Sequence, residues 1–548
     1  MRHGGQILAD QLKILGVRRV FSVPGESFLA ALDGLYDSGI ENIVCRHEGG
    51  AAMMAEAYGK LTNTPGVAFV TRGPGATNAS SGIHIARQDS TPMVMFVGQI
   101  ARGHRDREAF QEVDYRAMFA PLAKWVAEVD ETARLPEYIS RAFSVAMSGR
   151  PGPVVLALPE DMLSAEADTP DVIPSKRASF DYTATVAQIG SFLARAKSPL
   201  VIVGGPLWTA SASEALARFA TSAALPVVTT FRRQDYLDNR HPCFCGDLNV
   251  GLNPTLAKRL KESDCILALG TRLGDIATQG YTLLDPAAHG KTLIHVNADP
   301  DELGRVYTPT LAVNAPAPEL LEALADAKIM PIAADLTQAM RAEYEAWRTP
   351  KPTPGDVQLE QVIAHLSEHL PETAIVTNGA GNYAAFLHRY FTYKAPKTQL
   401  APTSGSMGYG APAAISAALE HPDRTVVCIA GDGCFQMTLN ELSTAAQHKA
   451  KVIFIVCNNG QYGTIRMHQE KSYPARVSGT ALFNPDYPAL ARSYGGVGFT
   501  ITRKEDFPAA LQEAQAANTL AIIELRLDPE ALSTGATLTQ IRNAAPQP

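Results

Sequence analysis

Cysteine is scarce: seven residues in a chain of 548, most of them inside apolar runs such as Val426-Val427-Cys428-Ile429. A count that low and odd excludes a disulfide scaffold and points to reduced core thiols. Cys243-Phe244-Cys245 has donors for a metal, but no second Cys or His pair stands at a ligand spacing, so buried thiols are the reading. Long apolar runs are also missing, since no stretch approaches the ~20 residues of a membrane span. Near the start, Ile7-Leu8-Ala9-Asp10-Gln11-Leu12 is amphipathic rather than a signal-peptide core. These features predict a cytoplasmic protein with no membrane partner. Nor is there a basic excess: 48 Lys and Arg stand against 55 Asp and Glu, a net charge of −7, which gives nucleic acid no electrostatic footprint.

What is there is the balance of a globular protein, 46% hydrophobic and 19% charged. At roughly 100–200 residues per domain, the length suggests about three domains. Short buried-strand patterns alternate with helical ones, so the expected class is α/β, three consecutive parallel-sheet domains covered by helices. The first is expected over 1–165, with strands near 19–25, 42–45, 67–71 and 92–97. A polar stretch over 165–188, including Pro174-Ser175-Lys176-Arg177, reads as a linker. A central domain follows over 189–330. Three prolines between Trp347 and Gly355 mark a second linker. The third domain is expected over 358–530, with strands near 374–379, 425–430 and 451–457, and a C-terminal tail over 531–548.

Ligands in open parallel sheets sit at the carboxyl ends of strands, so the loops there carry the search for function. One strand ends in Gly431-Asp432-Gly433 and another, after 24 intervening residues, in Asn458-Asn459-Gly460. The glycines let backbone approach a phosphate, and a helix predicted over 434–448 adds a favourable dipole. Asp432 and Asn459, with a backbone carbonyl near Gln461, offer the oxygen ligands that magnesium takes on a diphosphate. Either turn alone is an ordinary strand end; the pair is more specific.

This pair resembles the signature of thiamine-diphosphate enzymes. The resemblance implies that Asp432, Asn459 and the Gln461 carbonyl hold Mg2+ on the thiamine diphosphate, with Gly431 and Gly433 lining the loop. It also implies a glutamic acid at the cofactor's N1′. Glu48, in Arg46-His47-Glu48-Gly49-Gly50-Ala51-Ala52-Met53-Met54-Ala55-Glu56, matches that motif. Without the match it would read as an acidic helix start. Met407, in Gly405-Ser406-Met407-Gly408, matches the residue that bends the cofactor. Gly73 and Asn78, in Gly73-Pro74-Gly75-Ala76-Thr77-Asn78, match a loop near the active centre, and Asn382 and Tyr383 are implied at the diphosphate. The three domains then correspond to pyrimidine-binding, central dinucleotide-type and diphosphate-binding domains, and a homodimer or homotetramer is implied.

Within the family the chain is most similar to acetolactate synthase (acetohydroxyacid synthase) large subunits. Gly98-Gln99-Ile100 and Ala109-Phe110-Gln111-Glu112 resemble that group's substrate stretch, so Phe110 and Gln111 are implied there. The implied reaction is decarboxylation of a 2-oxo acid such as pyruvate and ligation to a second carbonyl, with a regulatory small subunit as a further partner. Two departures stand out. His468 occupies the place of a Trp that selects larger acceptors, which puts 2-oxobutyrate preference in doubt. In Arg272-Leu273-Gly274-Asp275-Ile276 the second arginine of a flavin-binding stretch is absent, which leaves FAD open. A non-ligating decarboxylase and a catalytically silent cofactor-binding subunit are the alternatives. His84 reads as a structural helix residue.

Overall fold

Runs rich in Val, Ile and Phe become strands buried on both faces, as β-branched and aromatic side chains favour. The structure, a computed structural model, describes residues 1–175, 180–327 and 329–545. It holds three six-stranded sheets, all parallel in their ladders. The three-sheet α/β expectation is met.

In the first domain the order across the sheet is Glu41–Val44, Arg19–Ser22, Gly66–Val70, Met93–Gln99, Pro153–Pro159, Trp125–Glu128. In the third it is Gln399–Leu400, Ile375–Asn378, Val426–Gly431, Ile453–Asn458, Ala521–Arg526, Val497–Ile501. Numbered along each domain, both read 2-1-3-4-6-5. The central sheet runs Phe244–Leu248, Val227–Thr230, Pro199–Val203, Cys265–Leu269, Thr292–Asn297, Leu311–Asn314, which is 3-2-1-4-5-6, the dinucleotide-binding order. Along the chain, the first and third sheets share one topology and the central one has another, although no residue-level repeat joins the first and third.

By packing, the chain divides into two units. One comprises Met1–Ser179, Pro402–His421 and Thr438–Ala450; the other comprises Phe180–Ala401, Pro422–Met437 and Lys451–Pro548. Within the first, helix Gly410–Glu420 packs on helix Glu48–Thr62, and Ser416 Oγ donates to Met54 O at 2.9 Å.

The structure departs from the sequence expectation locally. The helix predicted over 434–448 is broken into helix Asp432–Gln436, a 3-10 turn Leu439–Glu441 and helix Leu442–Gln447. Thr438 is the break: its φ of −138° departs from helical geometry, and its hydroxyl donates to Gly408 O at 2.7 Å. The stretch over 165–188 is more structured than a linker. Glu166–Ala167 pairs antiparallel with Arg2–His3, and Thr183–Leu193 is helical, while Lys176 to Ser179 lie outside the described residues. In the C-terminal stretch Leu538–Ala544 is a helix with a Thr537 capping box, and Arg542 pairs with the buried Glu470 of helix Gly463–Ser472. All seven cysteines are buried, and none of them forms a disulfide. Among the described residues no helix is long and apolar enough to cross a membrane.

Candidate active site

Strands Val426–Gly431 and Ile453–Asn458 are neighbours, with Gly431 opposite Cys457. Their ends coincide, so the loops carrying Asp432 and Asn459 leave the sheet side by side. They also adjoin the switch point of the 2-1-3-4-6-5 order, between Ile375–Asn378 and Val426–Gly431, where open sheets bind ligands.

The Asp432 carboxylate is 2% exposed. Its Oδ1 accepts from Gly433 N at 2.9 Å, and its Oδ2 accepts from Gly460 N at 2.9 Å and from Asn484 Nδ2 at 2.8 Å. Burial pushes this carboxyl above its ordinary range, opposed by those hydrogen bonds. Asn459 is half-buried, and its Oδ1 accepts from Gln461 N at 3.2 Å. Gln461 pairs with Ala481 as an isolated antiparallel bridge, which fixes its backbone. A Cβ on Gly433 would lie 2.5 Å from the Tyr462 ring, and one on Gly431 would lie 3.1 Å from the Tyr383 ring. Only glycine leaves this backbone open between two aromatic walls.

A carboxylate, a carboxamide and a carbonyl form a hard oxygen donor set that suits magnesium sharing its shell with phosphate. Among the described residues no three His, Cys, Asp or Glu gather as a metal cage, so this set needs oxygens from a ligand. The residues present therefore fit a magnesium diphosphate.

Asn484 was not foreseen. Its Nδ2 donates at 2.8 Å to both Asp432 Oδ2 and Asn458 Oδ1, while its own oxygen accepts from Gln436 Nε2 at 2.6 Å and Tyr487 OH at 3.2 Å. It braces the two loops together. Its only sequence signal is Asn-Pro-Asp ahead of a helix, which reads as a cap.

Asn382 and Tyr383 open helix Tyr383–Tyr390 beside these loops. Asn382 Nδ2 donates to Leu532 O at 2.8 Å, and its Oδ1 accepts from Thr464 at 2.9 Å. The Tyr383 hydroxyl accepts from Gly379 N at 3.1 Å and donates to Cys434 Sγ at 3.4 Å. Both side chains thus have protein partners. Nearby, His468 is exposed on helix Gly463–Ser472.

In the other unit, Glu48 is the first residue of helix Glu48–Thr62, and His47 caps that helix by accepting from Gly49 N at 3.0 Å. Glu48 is half-buried, and its Oε2 accepts from Asn78 Nδ2 at 3.0 Å. A Cβ on Gly75 would stand 3.3 Å from Glu48 Oε1, so the glycine lets the carboxylate lie over the start of helix Pro74–Asp89. Beneath the loop, the fully buried Glu441 accepts from Arg46 N with both oxygens at 3.2 Å. Gly73, at φ 60°, donates to Tyr115 OH at 2.7 Å and abuts Gln111, whose φ is 66°. The neighbouring Phe110 points outward, 74% exposed. Met407 is half-buried between Gly405 and Gly408, at φ 67° and 81°. His84 is exposed on helix Pro74–Asp89.

In the central sheet the switch point lies between Pro199–Val203 and Cys265–Leu269. There a Cβ on Gly205 would fall 2.1 Å from Gly270 O, so the two strand-end loops touch through glycine backbone. Arg272 follows, half-buried.

Comparison with known proteins agrees with this architecture. The model of the thiamine pyrophosphate enzyme N-terminal TPP binding domain matches residues 2–118, that of the central domain 186–324, and that of the C-terminal TPP binding domain 379–525. The chain is 32% identical over 513 residues to the acetolactate synthase isozyme 2 large subunit of Escherichia coli (strain K12), covering 93% of this chain and 92% of that one. It is 33% identical over 546 residues to the acetolactate synthase large subunit of Haemophilus influenzae, with 96% and 94% covered. The mitochondrial acetolactate synthase catalytic subunit of Saccharomyces cerevisiae is 32% identical over 558 residues, with 96% and 80% covered. With three domains matched in order and relatives along nearly its full length, the chain belongs to the thiamine pyrophosphate enzyme family and is acetolactate synthase-like.

Proposed function

We propose that this protein decarboxylates a 2-oxo acid, pyruvate first, and ligates the product to a second 2-oxo acid, giving a 2-hydroxy-2-alkyl-3-oxo acid and CO2. The observation that carries the reading is the pair of strand-end loops around Asp432 and Asn459, closed by one Asn484 amide, in a chain that also retains Glu48. A catalytically silent subunit would have no need of both.

Asp432, Asn459 and the Gln461 carbonyl are the residues that would hold Mg2+ on the diphosphate. Gly431 and Gly433 give the diphosphate access to backbone, and Asn382 and Tyr383 wall the same loops. Bound thiamine diphosphate supplies the electron sink for decarboxylation, while the protein supplies position and field. Glu48 is the residue that would hold a proton at the cofactor's N1′, with its carboxylate oriented by Asn78. Met407 is the residue that would support the cofactor's rings. Phe110 and Gln111 serve the substrate side, with Gln111 held against Gly73.

In its own unit Glu48 is only half-buried, and strong proton sharing needs a drier site. We therefore infer a homodimer or homotetramer in which a second copy covers it. The names of the bacterial relatives support a regulatory small subunit as a partner. Domain spans of 1–165, 189–330 and 358–530 follow the three sheets. The central sheet's strand order and glycine contact support a dinucleotide at its switch point; yellow absorbance of cofactor released from the purified protein would establish FAD there, and its absence would remove FAD from the reading.

The test is incubation with pyruvate, thiamine diphosphate and magnesium, measuring acetolactate against acetaldehyde. Acetolactate is expected; acetaldehyde alone would make the protein a non-ligating decarboxylase. Glu48→Gln should lower turnover about 100-fold or more, as expected when a positioned acid–base group is lost. Undiminished turnover would remove Glu48 from the mechanism.

A further inference from the structure

The turn that presents Met407 is closed by Gly405 N donating to Pro402 O at 3.0 Å and touched by the Thr438 hydroxyl at Gly408 O, but its own backbone is glycine-rich. Gly405 and Gly408 both adopt left-handed φ, where glycine is permissive but also freely mobile. Methionine is itself unbranched and adaptable. Yet a residue that sets the shape of a bound cofactor needs a fixed backbone.

Both ends of this turn are tied to one buried cluster. At the leading end, Thr403 donates its N–H at 2.7 Å and its hydroxyl at 2.5 Å to Asp89 Oδ1. At the trailing end, the Tyr409 hydroxyl donates to Glu56 Oε2 at 2.5 Å. Lys60 joins the two anchors: its ammonium pairs with Asp89 Oδ2, lies 3.1 Å from Glu56 Oε1, and sits over the Tyr409 ring at 5.1 Å. Thr91 adds a hydroxyl to Glu56 Oε1 at 2.5 Å. Glu56 and Tyr409 are fully buried, Asp89 is 2% exposed, and the Lys60 side chain is 11% exposed.

Two carboxylates and one ammonium out of water are costly, and apolar packing would join the same helices at least as well. What such a cluster adds is directional attachment at two points six residues apart in sequence, Thr403 and Tyr409. We propose that Glu56, Lys60 and Asp89 form a clamp whose role is to position Met407, so that first-domain charges fix the residue on which the cofactor bends. These three are positioning residues, acting through Thr403 and Tyr409. The inference rests on the reading of Met407 given above.

The test is a double-mutant cycle between the clamp and Met407. Tyr409→Phe keeps the ring over Lys60 and removes only the hydroxyl; Thr403→Val removes the other hydroxyl. Their effects are read by calorimetric binding of thiamine diphosphate with Mg2+, by near-UV circular dichroism of the bound cofactor, and by melting of the protein without cofactor. The paired variant should bind thiamine diphosphate about three- to tenfold more weakly and change the cofactor's dichroism. Placed in a Met407→Ala background, the same pair should add less than about twofold, because the residue it positions is gone. Fully additive effects would overturn the clamp, reducing it to general stabilisation, while leaving Met407 in place. If Met407→Ala alone changes neither binding nor dichroism, the reading of Met407 falls and the clamp's function with it. Should the paired variant fail to fold, Tyr409→Phe alone completes the same cycle.

Discussion

Replacing Asn484 by alanine is a sharp test of how the metal site is built. One Nδ2 serves two buried acceptors, Asp432 Oδ2 and Asn458 Oδ1, each at 2.8 Å. After truncation Asp432 keeps Gly433 N and Gly460 N, and Asn458 Oδ1 keeps Gly460 N at 3.1 Å. Gln436 and Tyr487 lose their shared acceptor. A hydrogen bond to a charged group is worth about 1.5–3 kcal/mol, which sets the expected loss of stability in the absence of cofactor. The bond is present before any cation arrives, so the loss in binding is smaller. It equals the ordering that the cation must now impose on a looser carboxylate and loop, about 0.5–1.5 kcal/mol, or roughly two- to tenfold. The assay is a magnesium titration at fixed thiamine diphosphate, followed by calorimetry, beside urea unfolding of the same samples. Stability lost with magnesium affinity unchanged would refute preorganisation by Asn484. Neither quantity changing would refute the bond itself.

Other outcomes follow from burial. Desolvation lifts the buried Asp247 carboxyl to about 7 against a hydrogen bond from Asn249, whereas an unfolded aspartate titrates near ~3.9. The folded state therefore holds the extra proton between about pH 4 and pH 7, and stability falls as pH rises through that window. Asp247→Asn should remove this slope and be the more stable form at pH 8, by about 4 kcal/mol at most; urea midpoints of both proteins at pH 5 and pH 8 check it, and a slope that persists in the variant assigns it elsewhere. Gly50→Ala would bring a Cβ within 2.4 Å of Glu441 Oε1. It should lower stability by about 1–3 kcal/mol through overpacking, and turnover should fall with it as Arg46 N loses its acceptor beside Glu48; thermal melting and steady-state rates measure both.

Asp432 and Glu48 were legible because each follows a strand and sits in a short motif. The break at Thr438 was not, since its hydroxyl finds Gly408 O only after both loops are placed. Phe110 and Gln111 show the same limit. They are adjacent in sequence, yet one is 74% exposed and the other lies against Gly73 at a left-handed φ. Asn484 carried only the signal of a helix cap, because 51 residues separate it from Asp432 and its partners meet only at the carboxyl ends of two neighbouring strands.

By itself the sequence determined the parallel α/β sheets, the strand-end placement of Asp432, Asn459 and Glu48, and the glycines beside them. Those features depend on hydrophobic runs and backbone freedom, which are properties of consecutive residues. Only the tertiary structure decided the register that brings Gly431 opposite Cys457, the bracing by Asn484, and the tying of the Met407 turn to Glu56, Lys60 and Asp89. These depend on hydrogen bonds and ion pairs between groups far apart in the chain, whose partners are chosen only when burial leaves each polar group no water to turn to.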